Sequence, residues 1–324
     1  MSSRLHLAIV GYGQTAGLHT EIMKRDRHCL DWVIGPNAQR TADFAARHGF
    51  ARHGSELGQA LDDPIVEAVL LCTPSAQHAA QAAACLEAGK HVLVEIPLAM
   101  SYSEGRLLAE TARQRSLVLM VAHTTRFEES MQRIRDDVVG GRLVFRSIIA
   151  RCTRLRRENI GSSGYVRSWT DNLLWHHGQH LLDLILWFLA IDEPGRVDVT
   201  AMFAAPDPKL GVPLDICVSL RTDRNQFGSA SLTYNSFVDL FDFVLMDDNE
   251  TLLIENGVLR NQFEVLLKPE INNARVLQDR EFVSAIHEAR QPSINANAVL
   301  PVLQVLQKAD DIYEKWRAAD TILK

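Results

Sequence analysis

Leu5-His6-Leu7-Ala8-Ile9-Val10 runs directly into Gly11-Tyr12-Gly13-Gln14-Thr15-Ala16, and the reading of this stretch decides the first half of the fold. The first six residues have the length and apolar character of a buried strand. Residues 14–25 continue with helical spacing, and residues 30–34 form the next apolar run. A lone G-x-G-x-x-A is weak, because glycines mark many turns. Between a strand and a helix of a βαβ unit, it is the context in which a dinucleotide binds. Gly11 permits the tight turn, Gly13 lets the backbone approach a pyrophosphate, and Ala16 allows close helix–strand packing. The backbone N–H groups of the first helical turn, Gln14, Thr15 and Ala16, together with the positive dipole end, suit phosphate.

Further along, the end of the second strand discriminates between dinucleotides. A carboxylate there holds the ribose 2′-hydroxyl of NAD, whereas arginine accommodates the 2′-phosphate of NADP. This chain has Gly35-Pro36-Asn37, with Arg40 one turn later. Asn37 suits a hydroxyl and Arg40 a phosphate, so NAD and NADP both stay open, with Arg40 favouring NADP. Helical patterns at 40–48, 77–87 and 102–115 then alternate with apolar runs at 67–72, 91–95 and 117–121. Such alternation predicts a doubly wound parallel sheet. Ligands bind beyond the carboxyl ends of its strands, which places Thr73, Pro74, His78, Glu95 and Pro97 beside the cofactor.

After a helix at 129–139 the pattern changes. Residues 143–152, 197–203, 214–221, 227–234, 241–246 and 250–254 read as strands separated by turns such as Asn256-Gly257. The expected fold class is therefore α/β. A Rossmann domain covers 1–123, and an α+β domain with a large, mostly antiparallel sheet covers 124–324. Helices are expected at 173–189, 278–290 and 296–316, the last packing back on the Rossmann domain. An antiparallel sheet with one open face suggests a homo-oligomer, dimer or tetramer.

Composition excludes several classes. The 324 residues are 47% hydrophobic and 23% charged with a formal net charge of −6, which argues against a general nucleic-acid surface. No apolar run has the length of a membrane span. The N-terminal apolar run is too short for a signal peptide, and Cys29, Cys72, Cys85, Cys152 and Cys217 lack C-x-x-C spacing. They read as reduced thiols of a cytoplasmic protein.

The chemistry is expected on the helix at 173–189, where His176, His180 and Asp183 stand at i, i+4 and i+7 and would share one face. Titratable side chains along an apolar helix destabilise unless hydrogen-bonded or used. A pair of satisfied core histidines is the plainer reading, and the cofactor motif tips the balance toward function. Zinc would need more than two histidines at this spacing, so no metal is expected. The run Arg151-Cys152-Thr153-Arg154-Leu155-Arg156-Arg157, with Arg167, brings five arginines ahead of this helix. Arginine binds carboxylates as a planar fork, and a solvated strand edge or subunit contact accounts equally well for Arg154, Arg156 and Arg157.

Taken together, Gly11-Tyr12-Gly13-Gln14-Thr15-Ala16, Cys72-Thr73-Pro74 with His78, residues 88–97 (A-G-K-H-V-L-V-E-I-P), Arg126-Phe127 and His176…His180…Asp183 resemble the glucose–fructose oxidoreductase/inositol dehydrogenase family (Gfo/Idh/MocA) over nearly the whole chain. That resemblance implies an NAD(P)-dependent dehydrogenase acting on a CH–OH group. The family's usual Glu-Lys-Pro is here Glu95-Ile96-Pro97, so its proton-relaying lysine is missing, and the family's acid four residues before the helix histidine is His176. Both departures, with residues 94–99, 167–171, 173–177 and 278–282, resemble a subgroup acting on 4-carboxy-2-hydroxymuconate-6-semialdehyde in aromatic compound catabolism. Its members oxidise the cyclic hemiacetal to a pyrone dicarboxylate and reduce NADP. Their second strand ends in Gly-Arg-Arg, unlike Gly35-Pro36-Asn37.

By that resemblance His180 is the base, with His176 as its partner or a substrate contact, and Arg126, Arg167, Trp169 and Trp175 bind the carboxylated substrate, Arg126 having the alternative of simply locking the domain junction. The alternatives are a dehydrogenase for a sugar acid or another hydroxy-carboxylate, and a nucleotide-binding regulator without turnover.

Overall fold

The computed structural model describes residues 4–160, 172–193, 195–269 and 273–322. Two compact units emerge: residues up to 124 together with 275–299, and 125–274 together with residues from 300 onward.

In the first unit, β1 (His6–Val10), α1 (Gln14–Arg25), β2 (Cys29–Ile34), α2 (Ala38–His48), β3 (Arg52–Gly54), α3 (Leu57–Leu61), β4 (Ala68–Leu71), α4 (His78–Glu87), β5 (His91–Val94), α5 (Tyr102–Gln114) and β6 (Leu119–Val121) follow one another. The six strands lie in the order β3-β2-β1-β4-β5-β6, with every pairing parallel. Strand order reverses between β1 and β4, so the loops after these strands flank the switch point where dinucleotides bind. Parallel strands are covered on both faces, and β4 is buried throughout. Helix α2 starts two residues before the expected position 40, because the Asn37 side chain accepts from the Arg40 N–H and caps it.

The second unit contains α6 (Glu129–Val139), β7 (Ser147–Leu155), a π-turn at Leu174–Gly178, α7 (Gln179–Phe188), β8 (Val197–Phe203), β9 (Asp215–Thr222), β10 (Phe227–Thr233), β11 (Asn235–Met246), β12 (Thr251–Glu255), β13 (Val258–Arg260) and β14 (Val265–Leu267). Among the described residues these strands form one eight-stranded sheet, ordered β14-β13-β12-β11-β7-β10-β9-β8. Only the β7–β10 pair is parallel. Helix α7 lies on one face so closely that a Cβ on Gly228 would sit 2.6 Å from Ile185 Cγ2.

The last segments depart from a contiguous second domain at 124–324. Helix α8 (Ala274–His287) and the 3₁₀ turn Ala296–Val299 fall, from residue 275 onward, in the first unit, where the Val121 N–H donates to the Ile294 carbonyl. Helix α9 (Leu300–Ile322) belongs instead to the second unit and packs on β8 and α7. The expected single helix at 296–316, packing back on the first domain, is thus divided at 299/300. Pro301 explains the break, since proline lacks an N–H and is tolerated only in a helix's first turn. Among the described residues no helix is long and apolar enough to cross a membrane.

Candidate active site

The turn after β1 has the features a dinucleotide demands. Gly11 has φ +109°, and a Cβ there would lie 2.4 Å from the Cys72 carbonyl oxygen. Gly13 is the opposite case: a Cβ there would meet nothing within 4 Å. No side chain caps α1, and no acidic residue occupies its first turn. Gln14 and Thr15 remain accessible, and Ala16 is buried where the helix meets the sheet. An uncapped helix start behind open space fits a pyrophosphate. Asn37 and Arg40 are both exposed at the end of β2.

Beyond β4, the Thr73 hydroxyl donates to Gln81 Oε1, and Pro74 opens a 3₁₀ turn. His78 was expected to line the cofactor site. It is buried, with Nδ1 2.7 Å from the Pro97 carbonyl and Nε2 2.8 Å from that of Thr73. It therefore holds the loops after β4 and β5 together, and the Ile96–Pro97 peptide in the second of these loops is cis.

Glu95, at the end of β5, is anchored by His19 and Arg275, which the sequence did not single out, and through His19 by Asp279. His19 on α1 is buried, with Nε2 2.9 Å from Glu95 Oε1 and Nδ1 2.8 Å from Asp279 Oδ2 on α8. Arg275 Nη1 donates to the same Glu95 oxygen at 3.0 Å. Both His19 nitrogens face carboxylates, so only the imidazolium satisfies both contacts. Burial works against that charge, but Asp279 and Glu95 outweigh it and raise the His19 pKa to about 9. Burial likewise opposes ionisation of Glu95, yet His19 and Arg275 bring it down to about 2. The result is a fixed carboxylate whose side chain is 18% exposed.

In the second unit, Asn172 Oδ1 accepts from the Leu174 N–H at 2.9 Å and starts the π-turn. Such turns interrupt α-helices frequently at functional sites. The rings of His176 and His180 lie 6.4 Å apart, and the His180 ring stands edge-on to Phe241 at 6.5 Å. Asp183 does not join them as a working acid. It is buried in a bidentate pair with Arg126, whose Nε and Nη2 donate at 2.7 and 2.6 Å, while the guanidinium stacks 5.1 Å from Trp187. Of the two expectations for Arg126, the same pair favours the lock: the Nε and Nη2 edge of its guanidinium is committed to holding α7.

Trp175 is also corrected. It is 3% exposed within a π-turn that packs against α9. Asp310 of α9 has its pKa pushed up by burial and pulled back by a hydrogen bond from Trp175. Arg167 and Trp169 lie outside the described residues.

His177 is the unexpected member of the helix. Its Nδ1 is 2.7 Å from the Tyr234 hydroxyl, and its ring lies 4.5 Å from that of His176. Burial, followed by the neighbouring His176, His180, Arg154 and Arg156, pushes its pKa far below the ordinary histidine value. The arginine run ahead of it divides by strand alternation. Arg151 faces the open side of the sheet and pairs with Asp242. Arg154 Nη1 approaches His177 Nε2 at 3.3 Å, and Arg156 lies over the Tyr234 ring.

Comparison with known proteins adds the following. The family model for oxidoreductases with an NAD-binding Rossmann fold (Gfo/Idh/MocA) matches residues 5–123, and that for the C-terminal part of bacterial oxidoreductases matches residues 129–260. The chain is 33% identical to 4-carboxy-2-hydroxymuconate-6-semialdehyde dehydrogenase of Sphingobium sp. (strain NBRC 103272 / SYK-6) over 318 residues, covering 96% of this chain and 99% of that one. It is 27% identical to the scyllo-inositol 2-dehydrogenase (NADP(+)) IolW of Bacillus subtilis (strain 168) over 200 residues, 61% of this chain and 55% of the other. Levoglucosan dehydrogenase, solved in complex with NADH and L-sorbose, superposes with a TM-score of 0.84 over 97% of each chain at 17% identity, a likeness of fold.

Proposed function

The chain belongs to the Gfo/Idh/MocA family of NAD(P)-dependent dehydrogenases, and on that premise we propose that it oxidises the cyclic hemiacetal of a carboxylated semialdehyde to a pyrone dicarboxylate. The observation that carries this reading is the His176–His180 pair on a helix whose acid, Asp183, is already committed to Arg126. No lysine stands at position 96, where Ile96 is buried. Histidine is then the residue left to take a hydroxyl proton near neutral pH. The 33% identity to a semialdehyde dehydrogenase across almost the full length of both chains supports the same substrate.

In this reading Gly11, Gly13, Gln14, Thr15 and Ala16 hold the pyrophosphate, with Thr73, Pro74 and Glu95 beside the remainder of the cofactor. Asn37 and Arg40 contact the adenosine ribose, with Arg40 favouring NADP. When bound, the nicotinamide dinucleotide supplies the acceptor for the hydrogen on the carbinol carbon. His180 removes the hydroxyl proton as the carbonyl forms, and His176 orients it. A hemiacetal carbon already carries two oxygens, so its oxidation needs less activation than that of an alcohol. Arg167 and Trp169 are assigned to the substrate on the sequence match alone. The five cysteines, all unpaired by disulfides, support a reducing, cytoplasmic setting.

The test is reduced-nicotinamide absorbance with the ring-opened semialdehyde and either NAD or NADP. Turnover is expected, and His180→Ala should lower kcat by about 10²- to 10⁴-fold while Arg113→Ala, at an exposed site, leaves it unchanged. Absence of turnover with either cofactor, with a sugar acid or other hydroxy-carboxylate active instead, would replace the substrate named here.

A further inference from the structure

On β7 the residues facing α7 are Ile148, Ala150 and Cys152, all buried and apolar. The same alternation continues into Arg154 and on to Arg156, so the inner face turns from apolar to cationic as the strand ends. Strand β10 runs parallel beside it with Thr233 opposite Thr153, which brings Tyr234 alongside. The Arg156 N–H donates to the Tyr234 carbonyl at 2.9 Å and locks this register.

Hydrogen-bond polarity here has one solution. A guanidinium only donates, so His177 Nε2, 3.3 Å from Arg154 Nη1, must carry the lone pair. The one ring proton of His177 is then on Nδ1 and points to the Tyr234 oxygen at 2.7 Å. Arg156 Nη1 approaches that oxygen at 3.5 Å, and its guanidinium carbon lies 5.3 Å from the ring centroid. The tyrosine oxygen thus accepts, and its own proton is the donor in any further contact. His177, held neutral between the Arg154 donor and the Tyr234 acceptor, relays this polarity and is no base.

Contrast with the neighbouring arginines is informative. Arg146 is neutralised by Asp248 and Arg151 by Asp242. Arg154 is exposed and, among the described residues, has no carboxylate partner. A cationic fork that has no carboxylate partner among the described residues matches a planar carboxylate. The His176 ring lies 4.5 Å from that of His177, so this cluster adjoins the residue that orients the proposed base, within one unit.

We propose that Arg154, held by His177 and backed by Arg156 on Tyr234, is the ligand of a carboxylate subsite that binds one carboxylate of an aromatic-like dicarboxylate substrate. It rests on the reading of the chain as a dehydrogenase of carboxylated semialdehydes, and its test separates the two. Binding of pyridine-2,4-dicarboxylate to the full chain is measured by calorimetry, with pyridine-2,4-dicarboxamide as the neutral control. Arg154→Gln and Arg156→Gln should each weaken the dicarboxylate about ten- to a hundredfold, without changing the response to the diamide. Arg146→Gln, which removes the same charge at a paired site, should change neither.

In turnover of the semialdehyde, the Arg154→Gln and Tyr234→Phe variants should raise KM with kcat within about threefold. Dicarboxylate binding that depends on Arg154, in a protein that does not turn over the semialdehyde, sustains the subsite and removes the substrate reading. Turnover of the semialdehyde with KM indifferent to both arginines sustains that reading and overturns the subsite. Equal binding of diacid and diamide, or binding of neither, also overturns it.

Discussion

His19 shows how one side chain can make a local charge arrangement depend on pH. Its pKa is raised from 6.5 to about 9, burial being outweighed by the carboxylates of Asp279 and Glu95. A raised value means the folded form binds the proton more tightly than the unfolded one. The stabilisation is complete below 6.5 and is lost as pH rises through about 9. Urea midpoints of wild type should fall across that window, and much of the fall should be absent in His19→Gln. The Arg126–Asp183 pair should behave differently. Both partners are buried, so Asp183→Asn leaves a buried guanidinium without its counter-charge and should cost about 3–5 kcal/mol, measured by chemical denaturation. Replacing both by leucine should cost less than the sum of the single changes. None of this was legible locally, because His19 and Asp279 are 260 positions apart in the chain. The approach of His176 to His180 was legible, because their spacing along one helix marks it.

Among the elements, the β1–α1 turn is where sequence and structure agree most closely. Its glycines are required for two separable reasons, and the variants should separate them. Gly11→Ala forces a Cβ to within 2.4 Å of the Cys72 carbonyl at a positive φ. It should lower the melting temperature of the apoprotein, as backbone must move to accept it. Gly13→Ala meets open space and should leave melting unchanged while weakening NAD(P)H binding, read from cofactor fluorescence. The π-turn at Leu174–Gly178 was not legible, because its apolar spacing equally fits an α-helix. The arginine run was half legible. Alternation alone assigns Arg151 to one face and Arg154 to the other, but only the neighbouring strand's Tyr234 shows what Arg154 and Arg156 touch.

At the scale of the whole molecule, the open face of the eight-stranded sheet carries Ile149, Phe227 and Met202, which are 43%, 43% and 73% exposed. Apolar groups on a face that α7 leaves bare support a homodimer or homotetramer built across it. Ile149→Asp should reduce the sedimenting mass to that of a smaller species while far-ultraviolet dichroism stays unchanged. An unaltered mass would place the interface elsewhere. Parallel and antiparallel halves were both legible from their patterns of apolar runs. The return of the chain to the first unit at residue 275 was not, since an amphipathic helix carries no label for the sheet it will cover.

That return sets a timetable for synthesis. When residue 124 leaves the ribosome, every strand of the parallel sheet has been made, yet the carboxylate of Asp279 and the Ile294 carbonyl that receives the Val121 N–H are still untranslated. The nascent sheet must wait through some 150 residues of intervening chain, with His19 lacking one of its two acids. A chain stalled or cleaved before residue 275 would therefore carry the whole nucleotide motif and no completed unit to present it. The unit begun first is thus completed only at residue 299, after nearly all of the second unit except its last helix has been made.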